Sequence, residues 1–185
     1  MNKIKLFVMD VDGTLTDGKI YMGENGEIMK AFDVKDGYGI AHILPKLGIV
    51  PVIITGRESQ IVESRAAELG ITEICQGATD KSKTLKRIAE KYKCNTDNIA
   101  YIGDDLNDLP CIEYCALTAC PADAYWKVKK AVSYICKSNG GSGAVREFID
   151  FIEEQYEALS SGKNGQSKYN RMLFKLNSVA LRKNE

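Results

Sequence analysis

The sequence predicts an α/β protein: a doubly wound, Rossmann-like parallel sheet from which one β-hairpin projects. Three observations predict it. Short apolar runs recur along the chain, segments with helical spacing lie between them, and acidic or glycine-containing motifs follow the runs where open sheets bind ligands.

The first run, 4–9, stops at Asp10 and has the continuous apolar character of a strand buried on both faces. Residues 19–34 break the alternation, reading as two strand-like pieces around Asn25-Gly26, a dipeptide suited to a tight hairpin turn. A helix is expected over 40–47 and a second strand over 50–54. The next helix carries Ile61, Ala66 and Leu69, a strand follows over 71–75, and Leu85, Ile88, Ala89 and Tyr92 mark a third helix. Further strands are expected over 99–102 and 116–118, with a weaker one over 132–135, and a last helix over 145–152. Strands alternating with helices require crossovers, which makes the sheet parallel. From residue 158 the character changes. Ser160, Ser161, Gly162, Asn164, Gly165 and Ser167 read as a linker, and Tyr169, Met172, Leu173, Leu176 and Val179 fall at the spacing of a short amphipathic helix. The expected organisation is therefore one domain over 1–157, with the hairpin at about 19–34, and a basic appendage over 158–185.

Composition narrows the function classes. The chain has 185 residues, 44% hydrophobic and 27% charged, which suits a soluble globular domain. Its 25 basic residues balance its 25 acidic ones, so no global charge excess points to nucleic acid or an anionic membrane as partner. The positive charge gathers instead in the appendage, where Lys163, Lys168, Arg171, Lys175, Arg182 and Lys183 face only Glu185. No run approaches the roughly 20 apolar residues of a membrane span, and no secretory leader is recognisable, so the expected location is the cytoplasm. The six cysteines include no CxxC pair and read as reduced, buried thiols rather than disulfides or a zinc knuckle.

The residues just past each strand carry the chemistry. Asp10-Val11-Asp12-Gly13-Thr14 follows the first run, Thr55-Gly56-Arg57 the second, and Gly103-Asp104-Asp105-Leu106-Asn107-Asp108 the fourth. Gathering Asp10, Asp12, Asp104 and Asp108 at one sheet edge is costly unless a hard cation neutralises them, and an all-oxygen donor set suits Mg²⁺. Lys81, opening a helical segment after Gly77-Ala78-Thr79-Asp80, adds a cation beside helix-start amides and favours a bound phosphate. The only histidine, His42, lies on a helical segment, which excludes histidine phosphatases and multi-histidine metal sites. No cysteine has an arginine six residues later, and no GxxxxGK[ST] loop is present.

The ordered set DVDGT, TGR, a lysine and GDDLND resembles the haloacid dehalogenase superfamily of aspartyl-phosphate phosphatases. That resemblance implies a phosphoaspartate mechanism. Asp10 would be the nucleophile, and Asp12 the group that protonates the leaving alcohol and then deprotonates water. Mg²⁺ would be held by Asp10, Asp104 and the Asp12 carbonyl, and Thr55 and Lys81 would grip the transferring oxygens. Asp108 would support the lysine or the metal, Thr14, Gly56, Arg57 and Arg146 would face the substrate, and Asp105 is read as a helix-start residue.

The gaps after the first motif and between the second and third are too short for an inserted cap, so the site is expected to be open unless another subunit closes it. A larger set of segments, DVDGTLTDGKIYMGENGE, FDVKDGYGI, ITGRES, QGATDK, YIGDDLND and GGSGAVRE, is similar to the capless tetrameric subgroup that acts on 3-deoxy-D-manno-octulosonate 8-phosphate. The resemblance implies a homotetramer, a phosphorylated sugar acid as substrate, and a segment over 140–147 that reaches a neighbouring active site. A simple helix start is the other reading of that segment. Relatives acting on nine-carbon sialic-type 9-phosphates leave an alternative substrate open; Arg57, suited to clamp a carboxylate, favours the octulosonate. A receiver-type signalling domain would place its phosphoacceptor aspartate after the third strand, contrary to the order here, and an idle scaffold would not need both Asp12 and Asp104.

Overall fold

The computed structural model describes residues 3–160 of the chain. It contains β1 (Leu6–Met9), the hairpin strands β2 (Tyr21–Gly23) and β3 (Gly26–Met29), then β4 (Val50–Ile54), β5 (Glu73–Cys75), β6 (Ile99–Ile102), β7 (Leu117–Cys120) and β8 (Tyr134–Ile135). Six of these form one parallel sheet in the order β5-β4-β1-β6-β7-β8, while β2 and β3 pair antiparallel outside it. The α/β, doubly wound architecture is therefore the one expected, and helices α3 (Gln60–Glu68), α4 (Lys81–Lys91), α5 (Leu109–Tyr114) and α6 (Trp126–Ala131) supply its crossovers. Between β1 and β6 the chain is used up by the hairpin, the helices and the two strands β4 and β5, with no cap.

Burial explains why β1 and β6 are apolar without alternation: all four residues of each are buried, because both sheet faces are covered. β1 pairs residue for residue with β4 on one side, Met9 opposite Ile53, and with β6 on the other, Met9 opposite Ile102. Connections run from β1 outward to β4 and β5, then cross back to β6, β7 and β8. The winding direction thus switches between β1 and β6, and ligand crevices open at the carboxyl ends of strands at such a point.

Two elements differ from the sequence expectation. The helix expected over 40–47 begins earlier, as α1 (Val34–Tyr38), continues through a π-helical turn, Gly39–Ile43, and ends in α2 (Leu44–Leu47). The only buried residues of α1 are Asp36 and Gly37, so no apolar stripe announces it. The last helix, α7 (Ala144–Ser160), is twice the expected length.

The chain separates into two compact units, one ending at Ile149 and one starting at Asp150. In the first, Phe148 lies 5.4 Å from Phe7 between ring centroids and stacks on Tyr134 at 6.1 Å. In the second, the described part is the remainder of α7. The linker and helix expected after residue 160 lie outside the described residues. No helix among the described residues is long and apolar enough to cross a membrane. Cys111 and Cys120 are buried, and burial pushes both thiols up to about 12, so they behave as small core side chains.

Candidate active site

The register brings the motif residues together. Asp10 is the first residue beyond β1, its N–H donating to Ile102 O of β6 at 3.1 Å, while Thr55 and Asp104 stand just past the ends of β4 and β6. The loop after Asp10 closes tightly because Thr14, Leu15 and Thr16 all donate backbone N–H groups to Val11 O. Gly13 is needed there twice over: its φ is +89°, and a Cβ would collide with the Asp104 carboxylate. Thr14 Oγ1 donates to Asp104 Oδ1 at 3.0 Å, so this hydroxyl acts on the carboxylate rather than facing outward.

Lys81, the first residue of α4, is buried and lies 2.8 Å from both Asp10 Oδ2 and Asp108 Oδ1. Asp108 is fully buried and saturated. Its Oδ1 also accepts from the Tyr101 hydroxyl at 2.7 Å, and its Oδ2 from the amides of Asp104 and Asp105 at 2.9 and 3.2 Å. Asp105, exposed, accepts from Leu106 N–H and caps the turn that begins there.

The electrostatics of this cluster are unbalanced. Burial pushes Asp10 up to about 6, helped by Asp108 and opposed by Lys81. Burial, with Asp10 and Asp108 adding repulsion, pushes Asp104 up to about 8. Burial alone would lower Lys81, but the two flanking carboxylates outweigh it and hold its pKa above the ordinary value. Oxygens of Asp10, Asp104 and Asp108 lie within 4.8 Å of one another, and Asp10 Oδ1 is buried with no hydrogen-bond partner. With Asp108 committed to four donors, Asp10 and Asp104 have the capacity to hold a cation. An all-oxygen set with an orphaned carboxylate oxygen fits a small hard divalent ion.

Thr55 is buried and fixed by Cys75 O and Ala78 N, with Gly56 exposed beside it. Arg57 Nη2 lies 3.1 Å from Glu27 Oε1 of the hairpin, and its Nη1 is buried without a partner. Asp12 Oδ1 pairs with Lys30, also from the hairpin. Arg146 sits at the start of α7, its N–H donating to Asp36 Oδ1 at 2.7 Å and its guanidinium 5.2 Å from the Tyr38 ring centre. The glycine segment before it folds on the loop of its own chain: Gly141 donates to Thr14 O at 3.1 Å, and a Cβ at Gly140 would collide with Gly13 O. His42 is exposed, against Tyr38.

Sequence reasoning missed Lys30, Glu27, Tyr101 and Asp36. The first two carried a signal, opposite charges three apart beside the hairpin turn, but such pairs are usually solvated. Tyr101 read as strand filler.

A parallel sheet with a switch point at Asp10, and a buried lysine shared between that aspartate and a second one, define a phosphoryl-transfer type of site. The model of haloacid dehalogenase-like hydrolases matches residues 53–149, and the chain belongs to that family. It is 44% identical over 165 residues to the 3-deoxy-D-manno-octulosonate 8-phosphate phosphatase KdsC of Escherichia coli K12, covering 89% of this chain and 85% of that protein. Among solved structures it is similar to the 3-deoxy-D-manno-octulosonate 8-phosphate phosphatase of Moraxella catarrhalis, in complex with magnesium ion, phosphate ion and KDO. The TM-score is 0.79 at 39% identity, over 87% of this chain and 94% of that one. The cobalt-bound deoxy-D-mannose-octulosonate 8-phosphate phosphatase of Haemophilus influenzae gives a TM-score of 0.79 at 38% identity, covering 82% and 88%.

Proposed function

We propose that this protein is a Mg²⁺-dependent phosphomonoesterase that hydrolyses 3-deoxy-D-manno-octulosonate 8-phosphate through a phosphoaspartate on Asp10. The observation that carries the reading is the state of Asp10: one oxygen held at 2.8 Å by buried Lys81, the other buried without a partner, Asp104 beside it. The 44% identity to named octulosonate phosphatases supplies the substrate.

Asp10 attacks phosphorus and its new O–P bond replaces the bond to the sugar oxygen; Asp12 gives that oxygen a proton. Water then attacks the phosphoaspartate, Asp12 takes its proton, and orthophosphate leaves with Asp10 regenerated. Lys81, fixed by Asp108, orients Asp10 and with Thr55 meets the phosphoryl oxygens as charge develops. Mg²⁺, held by Asp10, Asp104 and the Asp12 carbonyl, supplies neutralising charge between two anions when bound. Thr14 steadies Asp104, Gly56 leaves room for the phosphoryl group, and Arg57 and Arg146 are assigned to the substrate.

The hairpin exposes Ile20, Met22, Ile28 and Met29, and an isolated two-stranded ribbon is marginal in water, so we read it as the interface of a homotetramer. The catalytic domain is assigned to 1–157, working in the cytoplasm.

The test is phosphate release with Mg²⁺ from octulosonate 8-phosphate, sialic-type 9-phosphates, hexose phosphates and nucleotides. Preference for the octulosonate by more than about tenfold, roughly 1.4 kcal/mol of discrimination, supports the reading. Preference for a 9-phosphate replaces the substrate, and equal turnover by Asp10→Asn overturns the mechanism.

A further inference from the structure

We propose that Lys30, reaching in from the hairpin, is a positioning residue that holds the Asp12 carboxylate in the orientation for proton transfer to the leaving alcohol. Lys30 stands one residue past β3, with its side chain 1% exposed. Its ammonium pairs with Asp12 Oδ1 and, at 3.0 Å, with Glu27 Oε1. Glu27 in turn meets Arg57 Nη2 at 3.1 Å and accepts from Ser59 Oγ at 2.5 Å. Charges therefore alternate along one chain, Asp12, Lys30, Glu27 and Arg57, from the loop after β1 through the hairpin to the loop after β4.

Glu27 alone already ties the hairpin to the body of the protein, through Arg57 and Ser59. The pairing of Lys30 with Asp12 adds something different: it restrains a carboxylate that stands on a turn, 21% exposed. A general acid loses rate steeply when its oxygen wanders from the line of proton transfer. With Oδ1 engaged by Lys30, Oδ2 is the oxygen that carries the proton. In the first step Oδ2–H gives its proton to the ester oxygen as the P–O bond breaks and the Asp10–phosphorus bond forms. The ammonium pairs with the carboxylate left behind. In the second step that carboxylate takes a proton from water as the water oxygen bonds to phosphorus and Asp10 is released. The hairpin, read above as an assembly interface, thus also reaches the chemistry.

The inference rests on the phosphatase reading, and its test separates the two. Wild-type turnover of octulosonate 8-phosphate, an alkyl ester, and of p-nitrophenyl phosphate, both at saturating Mg²⁺, tests that reading; absence of both activities sinks it and this role with it. The role of Lys30 is read from how the two values of kcat/KM change in Lys30→Met. Departure of an alkoxide needs a proton, whereas nitrophenolate leaves without one, and kcat/KM reports the step in which the alcohol departs. Lys30→Met is expected to lose about 10- to 100-fold on the alkyl ester and less than about threefold on the aryl ester, with Lys30→Arg recovering most of the loss. Equal losses on both esters make Lys30 a structural anchor and overturn the proposal, as does no loss on either. If Lys30→Met does not fold, Lys30→Gln gives the same ratio, and its thermal midpoint shows whether stability has moved independently.

Discussion

Lys81 Nζ stands 2.8 Å from Asp10 Oδ2, both side chains almost wholly buried, and the same nitrogen stands 2.8 Å from Asp108 Oδ1. One cation is thus shared between the residue proposed to attack and a residue that only holds position. Removing it leaves two buried carboxylates without their shared counter-charge.

Lys81→Met is accordingly expected to lower stability by about 3 kcal/mol and the rate by at least about 100-fold. Urea unfolding and phosphate release check the two parts. Asp108→Asn should lower both by less, since its amide oxygen still accepts from Lys81 while its nitrogen cannot accept from the Asp104 and Asp105 amides.

Asp10 and Asp104 sit at about 6 and about 8 without a metal, both above the ordinary carboxylate value because of burial first and then repulsion, from Asp108 on Asp10 and from Asp10 and Asp108 on Asp104. A carboxyl with a raised native value gives stability that is fully present below its unfolded value and is lost as pH rises through the native one. Metal-free protein should therefore lose stability between about pH 4 and pH 8, and Asp104→Asn should flatten that slope. Saturating Mg²⁺ should restore stability at the upper end, by about 2.7 kcal/mol at 100 times its dissociation constant. Urea midpoints at pH 5 and pH 8, in chelator and in Mg²⁺, measure it.

Gly13→Ala places a Cβ where the Asp104 carboxylate lies and at a φ that L residues rarely adopt. The expected result is a loss of about 1 to 2 kcal/mol of stability together with weakened Mg²⁺ activation, read from a metal titration of activity.

Asp36 accepts from Arg146 N–H at 2.7 Å and so caps the start of α7 from another helix. Asp36→Ala should cost about 1 to 2 kcal/mol while kcat stays within about twofold, because Oδ1 serves a helix-start amide and not the ester. Thermal unfolding and phosphate release check this together.

The carboxyl-edge residues are legible in the sequence because Asp10 and Thr55 directly follow apolar runs and Asp104 follows one across a single glycine, and the switch point follows from the order of runs and crossovers. Lys81 is legible as a helix-start cation. Lys30 and Glu27 are not, because their burial depends on where the hairpin lies, and hairpin placement leaves no periodic trace. Asp36 is hidden for a related reason: a buried acid in a short helix has the same local pattern as a solvated one. The glycines at 140 and 141 read from sequence as part of a reaching segment or of a helix start, whereas close approach to the backbone of Gly13 and Thr16 is what requires them.

Phosphorylation of Asp10 during turnover is the step on which the mechanism stands. Rapid quenching during turnover, followed by borohydride reduction and peptide mass spectrometry, tests it directly, since an acyl phosphate on aspartate is reduced to homoserine. Homoserine is expected at position 10, present only with substrate and Mg²⁺ and absent in Asp10→Asn. Turnover with position 10 left as aspartate at every quench time, or homoserine at another carboxylate, would contradict it.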